Sequence, residues 1–184
     1  SHSIRDIVLW ITRQLGVEDA WQYELAARLC LLGCITLPNE VFEKAYGGQA
    51  LSRDEEEMFR AHPEVAGSLI SRIPRLEPVA AIIRMQHAPS GAVNSTEPMT
   101  RGAHMLHLAQ ELDRQIYLDL DWKSARDQLR TSGRFNACMV DALVNYAPTK
   151  IEFDVRQFSI RELRPGMVLD EDVFTSKTKL MIFK

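Results

Sequence analysis

Apolar residues recur at helical spacing through the first four fifths of the chain. Ile4, Ile7, Val8, Ile11 and Leu15 share one face of a helix over residues 4–15, and Gly16 supplies the usual stop. Residues 19–34 predict a second helix, more apolar towards its end, as a central element requires. After Pro38, residues 39–45 predict a short helix closed by Gly47-Gly48. Ser52-Arg53-Asp54-Glu55 is a capping box, in which the Ser52 hydroxyl takes the Glu55 amide while the Glu55 carboxylate reaches back. Its helix should run to about His62, and Pro63 should open another that stops near Pro74. Further helices are expected at 76–87, 100–117, 122–131 and 136–146, with a loop between the first two marked by Pro89, Gly91 and Pro98. Trp10, Trp21 and Trp122 fall within amphipathic patterns and are expected in the core. Long helical patterns with short joins predict a mainly α fold, a helical bundle.

At Pro148 the pattern changes. Segments 151–159, 166–174 and 179–183 are rich in Val, Ile, Phe and Leu, and some alternate polar with apolar positions. Arg164-Pro165-Gly166-Met167 carries the residues of a type II turn. Two domains are therefore expected: helical over 1–147, and a small β-rich appendage over 148–184. The strand pattern runs into Lys184, so a longer natural protein is expected.

Composition narrows the function classes. The 184 residues carry a net charge of −3, against a nucleic-acid partner held by phosphate contacts. The appendage holds acidic and basic residues in near balance, so it is no electrostatic arm. Arg, Glu or Gln interrupts every apolar run before it reaches the length of a membrane span. The three cysteines, Cys30, Cys34 and Cys138, make no disulfide framework. Cys30 and Cys34, i,i+4 on the expected second helix, read as two small buried hydrophobes in a reducing cytoplasm rather than a metal or redox pair, because C-x-x-x-C matches no standard zinc spacing. The run Asp54-Glu55-Glu56-Glu57 reads as charge favoured by a helix N-terminus. There is no glycine-rich phosphate loop, no G-x-S-x-G and no H-E-x-x-H.

Three stretches carry the main signal: LAARLCLLGCITLP (25–38), HPEVAGSLI (62–70) and IIRMQHAP (82–89). In layout they resemble an HD-GYP domain, a helical metal-dependent phosphodiesterase module of bacterial signalling, and around His62 to His87 they also resemble the HDOD group. The family writes the first stretch as LAALLHDIGKIxIP. The resemblance places Cys30 at the ligand His, Leu31 at the bridging Asp and Cys34 at a phosphate-positioning Lys. His62 stands at a ligand His. Of the family's His-His-Glu triplet this chain has Gln86, His87 and Ala88, and Ser90-Gly91-Ala92 remains where a Gly-Tyr-Pro loop belongs. In AHMLHLAQELD (103–113), His104 replaces a phosphate-contacting Arg, Gln110 replaces a ligand Asp, and Asp113 matches a mainly structural Asp. His2 lies near the N-terminal ligand His, two residues short in spacing. The segment R-E-L-R-P-G-M-V-L resembles the β appendage of such output domains.

What the resemblance implies is a dismantled site. Leucine has no lone pair, and a binuclear centre needs carboxylates. His62 and His87 are expected to remain as buried, hydrogen-bonded groups joining helices, with a residual single-metal site at those two as the alternative. His104 and His107, i,i+3, read as a packed or solvated face. The expected function is a non-catalytic output module of a response-regulator-type protein, cytoplasmic, without cofactor. It would act on a protein partner or an upstream receiver domain, with a homodimer among the options and neither nucleic acid nor membrane as partner. The alternative is a metal-dependent phosphodiesterase acting on a cyclic dinucleotide through a rearranged site that uses Cys30, Cys34, His62, His87 and His104.

Overall fold

The computed structural model describes residues 2–18, 20–87, 89, 93–146, 173–174 and 180–182. The chain divides into two units, Ser1–Pro148 and Thr149–Lys184.

The first unit is mainly helical: α1 (His2–Gln14), α2 (Trp21–Leu29), a 3-10 helix (Leu32–Thr36), α3 (Asn39–Tyr46), α4 (Arg53–Ile70), α5 (Glu77–Arg84), α6 (Pro98–Tyr117), α7 (Trp122–Thr131) and α8 (Ala137–Asp141). Helix α1 packs on α2 and α6, and α5 packs between α4, α2 and α6. The predicted face of α1 is the buried one: Ile4, Ile7 and Ile11 have no exposed surface and Val8 only 1 %. Each such side chain contributes about 1.5–3 kcal/mol relative to exposure. Gly16 holds the left-handed conformation that ends this helix, at φ +59°. In α4 both halves of the capping box form, Ser52 Oγ accepting from the Glu55 amide and Glu55 accepting from the Ser52 amide at 2.8 Å.

Four expectations need correction. The second helix does not reach residue 34. It ends at Leu29, and the chain tightens into the 3-10 helix. The cause is Gly33, packed so closely on α4 that a Cβ there would overlap the carbonyl oxygen of His62. Cys30 and Cys34 therefore do not sit side by side on one α-helix.

Secondly, no helix starts at Pro63, because α4 runs unbroken through it. Pro63 leaves the Phe59 carbonyl without its usual amide, and Nδ1 of His62 takes that acceptor at 2.6 Å.

Thirdly, Trp21 is 43 % exposed. It opens α2, outside the stripe of Tyr23, Ala26 and Ala27 that packs inward. Trp10 and Trp122 do pack against the core, Trp10 giving its indole N–H to the Ala142 carbonyl at 2.8 Å.

Lastly, two helices are shorter than expected. Helix α5 stops at Arg84 and leaves Gln86 and His87 in a turn, and α8 stops at Asp141.

In the second unit the structure describes an antiparallel pair, β1 (Val173–Phe174) with β2 (Leu180–Ile182). The rest of the β appendage expected over 148–184 lies outside the described residues.

Candidate functional site

Three elements converge on His62. Helix α4 turns its imidazole inward, where 1 % of the residue remains exposed. The turn after α5 brings Gln86, fully buried, against it. The 3-10 connection, pressed onto α4 at Gly33, carries Leu31 past the same point. Helix α6 supplies His107 and Gln110, and α3 closes the far side with Tyr46. Between them lies a cavity of about 290 Å³.

The floor of the site is a network of amides. Gln86 Nε2 donates to the Cys30 carbonyl at 3.2 Å and faces His62 Nε2 at 3.4 Å. Gln86 Oε1 accepts from the Gln110 side-chain amide. The Gln86 carbonyl accepts from His107 Nδ1 at 2.9 Å. These contacts fix protonation. A carbonyl only accepts, so His62 and His107 both carry their proton on Nδ1 and keep Nε2 as an acceptor. His62 Nε2 then receives the amide of Gln86.

The imidazoles also pack against one another and against Phe59. Phe59 and His62 have ring centroids 4.9 Å apart, His62 and His87 4.9 Å at 79°, and Phe59 and His87 5.5 Å. Burial lowers the pKa of His62 and His107, against the opposing effect of their carbonyl hydrogen bonds. His87 is pushed down to about 4 by burial, then by the neighbouring His62 and His107. His87 still counts as exposed by surface area. It is a wall residue, crowded by protein on one side and open on the other, and the open side limits how far its charged form is penalised. All three rings are neutral at pH 7.

Charge enters only as a pair. Glu111 and Arg114 line the cavity and meet in two contacts of 2.8 and 3.2 Å. Burial opposes ionisation of Glu111, but the Arg114 hydrogen bond and charge outweigh it and hold the carboxyl below its ordinary range. Burial raises the Tyr46 hydroxyl far above its ordinary value, so it stays a neutral phenol.

Of the positions that the sequence singled out, Leu31, His62, His87 and Gln110 line this cavity, and Gln86 braces it from behind. Cys30 is buried beside it. Its thiol donates to the Ala27 carbonyl at 3.2 Å, and burial pushes its pKa up to about 11. Cys34 and His104 do not line the cavity. Burial pushes Cys34 to about 11 as well, so neither thiol is a ready thiolate. His104 is packed within the bundle at 6 % exposure. Asp113 contacts Ser3 of α1, in keeping with a structural carboxylate between α6 and α1, and burial raises its pKa. The side chain of His2 and the segment 90–92 lie outside the described residues.

Six wall residues lie outside the site positions that the sequence singles out: Ala45, Tyr46, Phe59, His107, Glu111 and Arg114. Phe59 stands one turn before His62, and Glu111 and Arg114 follow Gln110 on α6, so helical spacing could have flagged these three. Nothing local marks Tyr46.

The groups around the cavity are three neutral imidazoles, a Glu111 carboxylate paired with Arg114, and an amide network, with no carboxylate at Leu31 or Gln110. Side-chain amide nitrogens are not metal ligands. Among the described residues, no three His, Cys, Asp or Glu side chains come together in a way that could hold a metal ion. No described helix is long and apolar enough to cross a membrane.

The HD domain family matches residues 1–90. That span includes Cys30, Leu31, His62, Gln86 and His87 and supports an HD-related domain there. Neither the curated proteins nor the solved structures compared with the chain give a match.

Proposed function

We propose that the chain is a non-catalytic signalling module built on an HD-type helical frame, acting through contacts with a protein partner or an upstream receiver domain, as in response-regulator-type proteins of the bacterial cytoplasm. One observation supports this reading: Leu31 and the Gln86–Gln110 amide pair meet at one cavity, and the resemblance to HD-type hydrolases assigns ligands to those positions. Hydrolysis of a phosphoester by such a site draws on a metal-bound hydroxide and on charge neutralisation at the phosphoryl oxygens. Leu31 supplies neither, and Arg114 is already neutralised by Glu111.

The competing reading, a metal-dependent phosphodiesterase acting on a cyclic dinucleotide, draws on His62 and His87 standing 4.9 Å apart ring to ring. Two assays separate them: metal content of the purified protein, and turnover of cyclic di-GMP with added Mn²⁺ or Fe²⁺ against a His62→Ala control. The non-catalytic reading expects no turnover above that control. Metal-dependent turnover abolished by His62→Ala would install the hydrolase in its place.

A further inference from the structure

We propose that the cavity bounded by α3, α4 and α6 binds a small, uncharged, two-ring heteroaromatic molecule that presents a ring N–H. The proposal rests on reading the site as free of metal, and adds an occupant to it. Size comes first. A volume of about 290 Å³ is the liquid-volume share of roughly ten waters. It lies at the lower edge of ordinary ligand sites. It takes a fused two-ring molecule.

The walls set the shape. Phe59 and His87 pack against each other at 5.5 Å and 32° and form one aromatic wall, and Tyr46 adds a ring from α3. Such walls favour a flat ligand in offset or edge contact. Polarity sets the edge. His107 spends its proton on the Gln86 carbonyl, so Nε2 is an acceptor for which the described residues supply no donor. A wall acceptor of this kind selects a ligand that brings an N–H and rejects its isostere. Glu111 and Arg114 cancel each other. A phosphate meets a guanidinium whose charge Glu111 already balances, and a cation meets a carboxylate that Arg114 already balances, so the site favours neither.

The test titrates the full chain with indole, with benzofuran (the same shape without the N–H) and with phenyl phosphate, followed by histidine ring signals in ¹H–¹³C spectra and by calorimetry. Indole should shift the His87 and His107 signals saturably and bind about fivefold tighter than benzofuran, the order of one hydrogen bond. Phenyl phosphate should bind weakest. His107→Phe keeps a ring against Phe135 but removes the acceptor, and should bring the indole-to-benzofuran ratio to about one. The ratio is taken within a single variant, so a change in stability does not imitate the result. Leu31→Trp should fill the cavity and abolish both ligands.

Equal affinity for indole and benzofuran in the unaltered chain, an unchanged ratio in His107→Phe, or no histidine shift at roughly 5 mM ligand would overturn the proposal. If Mn²⁺ made phenyl phosphate the tightest ligand, the metal-free reading would fall as well, an outcome distinct from silence of all three probes.

Discussion

The imidazole of His62 lies with Nδ1 2.6 Å from the carbonyl oxygen of Phe59, the acceptor that Pro63 leaves without an amide. One side chain thus carries the α4 backbone across a proline in the helix interior. The same bond sets the tautomer, which turns Nε2 into an acceptor and admits the amide of Gln86. A residue that resembles a metal ligand is here tied on both nitrogens to protein groups.

Removing that tie should expose the dependence. His62→Ala leaves the Phe59 carbonyl and the Gln86 amide short of partners and opens a void, at a cost of about 3 kcal/mol. Adding Pro63→Ala restores a backbone N–H opposite Phe59. In the His62→Ala background it should therefore stabilise by about 1 kcal/mol more than in the unaltered chain. Urea unfolding of the four members of the cycle measures this. A coupling indistinguishable from zero would mean that His62 does not substitute for the missing amide.

Acid should unfold the protein through the same cluster. His62, His87 and His107 all have pKa values below the ordinary histidine range, chiefly through burial. In the unfolded chain they take up protons as pH falls through about 6.5. The folded chain resists, His87 until about 4. Below about 6.5 the unfolded state thus binds more protons, and stability falls as pH falls. It is fully present above the unfolded pKa and lost progressively towards pH 4. Urea midpoints at pH 7.5, 6 and 5 should decline in that order. A midpoint rising from pH 7.5 to 5 contradicts neutral imidazoles in the folded state.

Sequence and structure agree where the cause is local. The face of α1, the stop at Gly16, the Ser52–Glu55 box and the bounds of α7 follow from residues within a turn or two of one another. Leu31, His62, His87 and Gln110 were placed in one site by family layout, and they share one cavity. What escaped depends on contacts across the fold. The early end of α2 is imposed by Gly33 meeting a helix thirty residues on. The passage of α4 through Pro63 depends on a side-chain rotamer that no spacing rule encodes. Tyr46 joins the site because α3 approaches α6, and propensity in 39–46 carries no trace of that.

Gly33→Ala should be among the most damaging single changes in the helical unit. The clash is with backbone, the His62 carbonyl, and the Ala66 amide nitrogen lies 3.2 Å from the added carbon. Neither can rotate aside. Overpacking of this kind costs about 1–3 kcal/mol and more where nothing yields, so about 3 kcal/mol is expected, read as a lower urea midpoint. Relief requires the 3-10 segment to lift from α4, which also moves Leu31 and the Cys30 carbonyl. The Gln86 side-chain signals should therefore shift in amide NMR spectra. A variant as stable as the original would show that the approach at Gly33 is looser than described.

Carboxylates at 31 and 110 should confer metal affinity, if their absence is what keeps a metal ion from this cavity. Leu31 and Gln110 line the same cavity as His62 and His87. Leu31→Asp with Gln110→Asp would place two carboxylates beside two neutral imidazoles, a donor set suited to Zn²⁺, Mn²⁺ or Fe²⁺. Without metal, the double variant should be less stable by about 2–4 kcal/mol, because two charges enter a crowded wall and the amide bond from Gln110 to Gln86 is lost. Saturating Zn²⁺ should recover about 2.7 kcal/mol at a hundredfold excess over Kd, and the Zn²⁺ affinity should exceed that of the original chain at least about tenfold. The Gln86 amide should lower the gain, since it still donates to the ring nitrogen of His62 that a metal would need. Gln86→His on the same background should raise the affinity further, as a third imidazole replaces a competing donor. Calorimetric titration with Zn²⁺ and thermal unfolding with and without metal provide the check. Affinity no better than that of the original chain would mean that the walls hold positions 31 and 110 too far apart for carboxylates there to meet one ion.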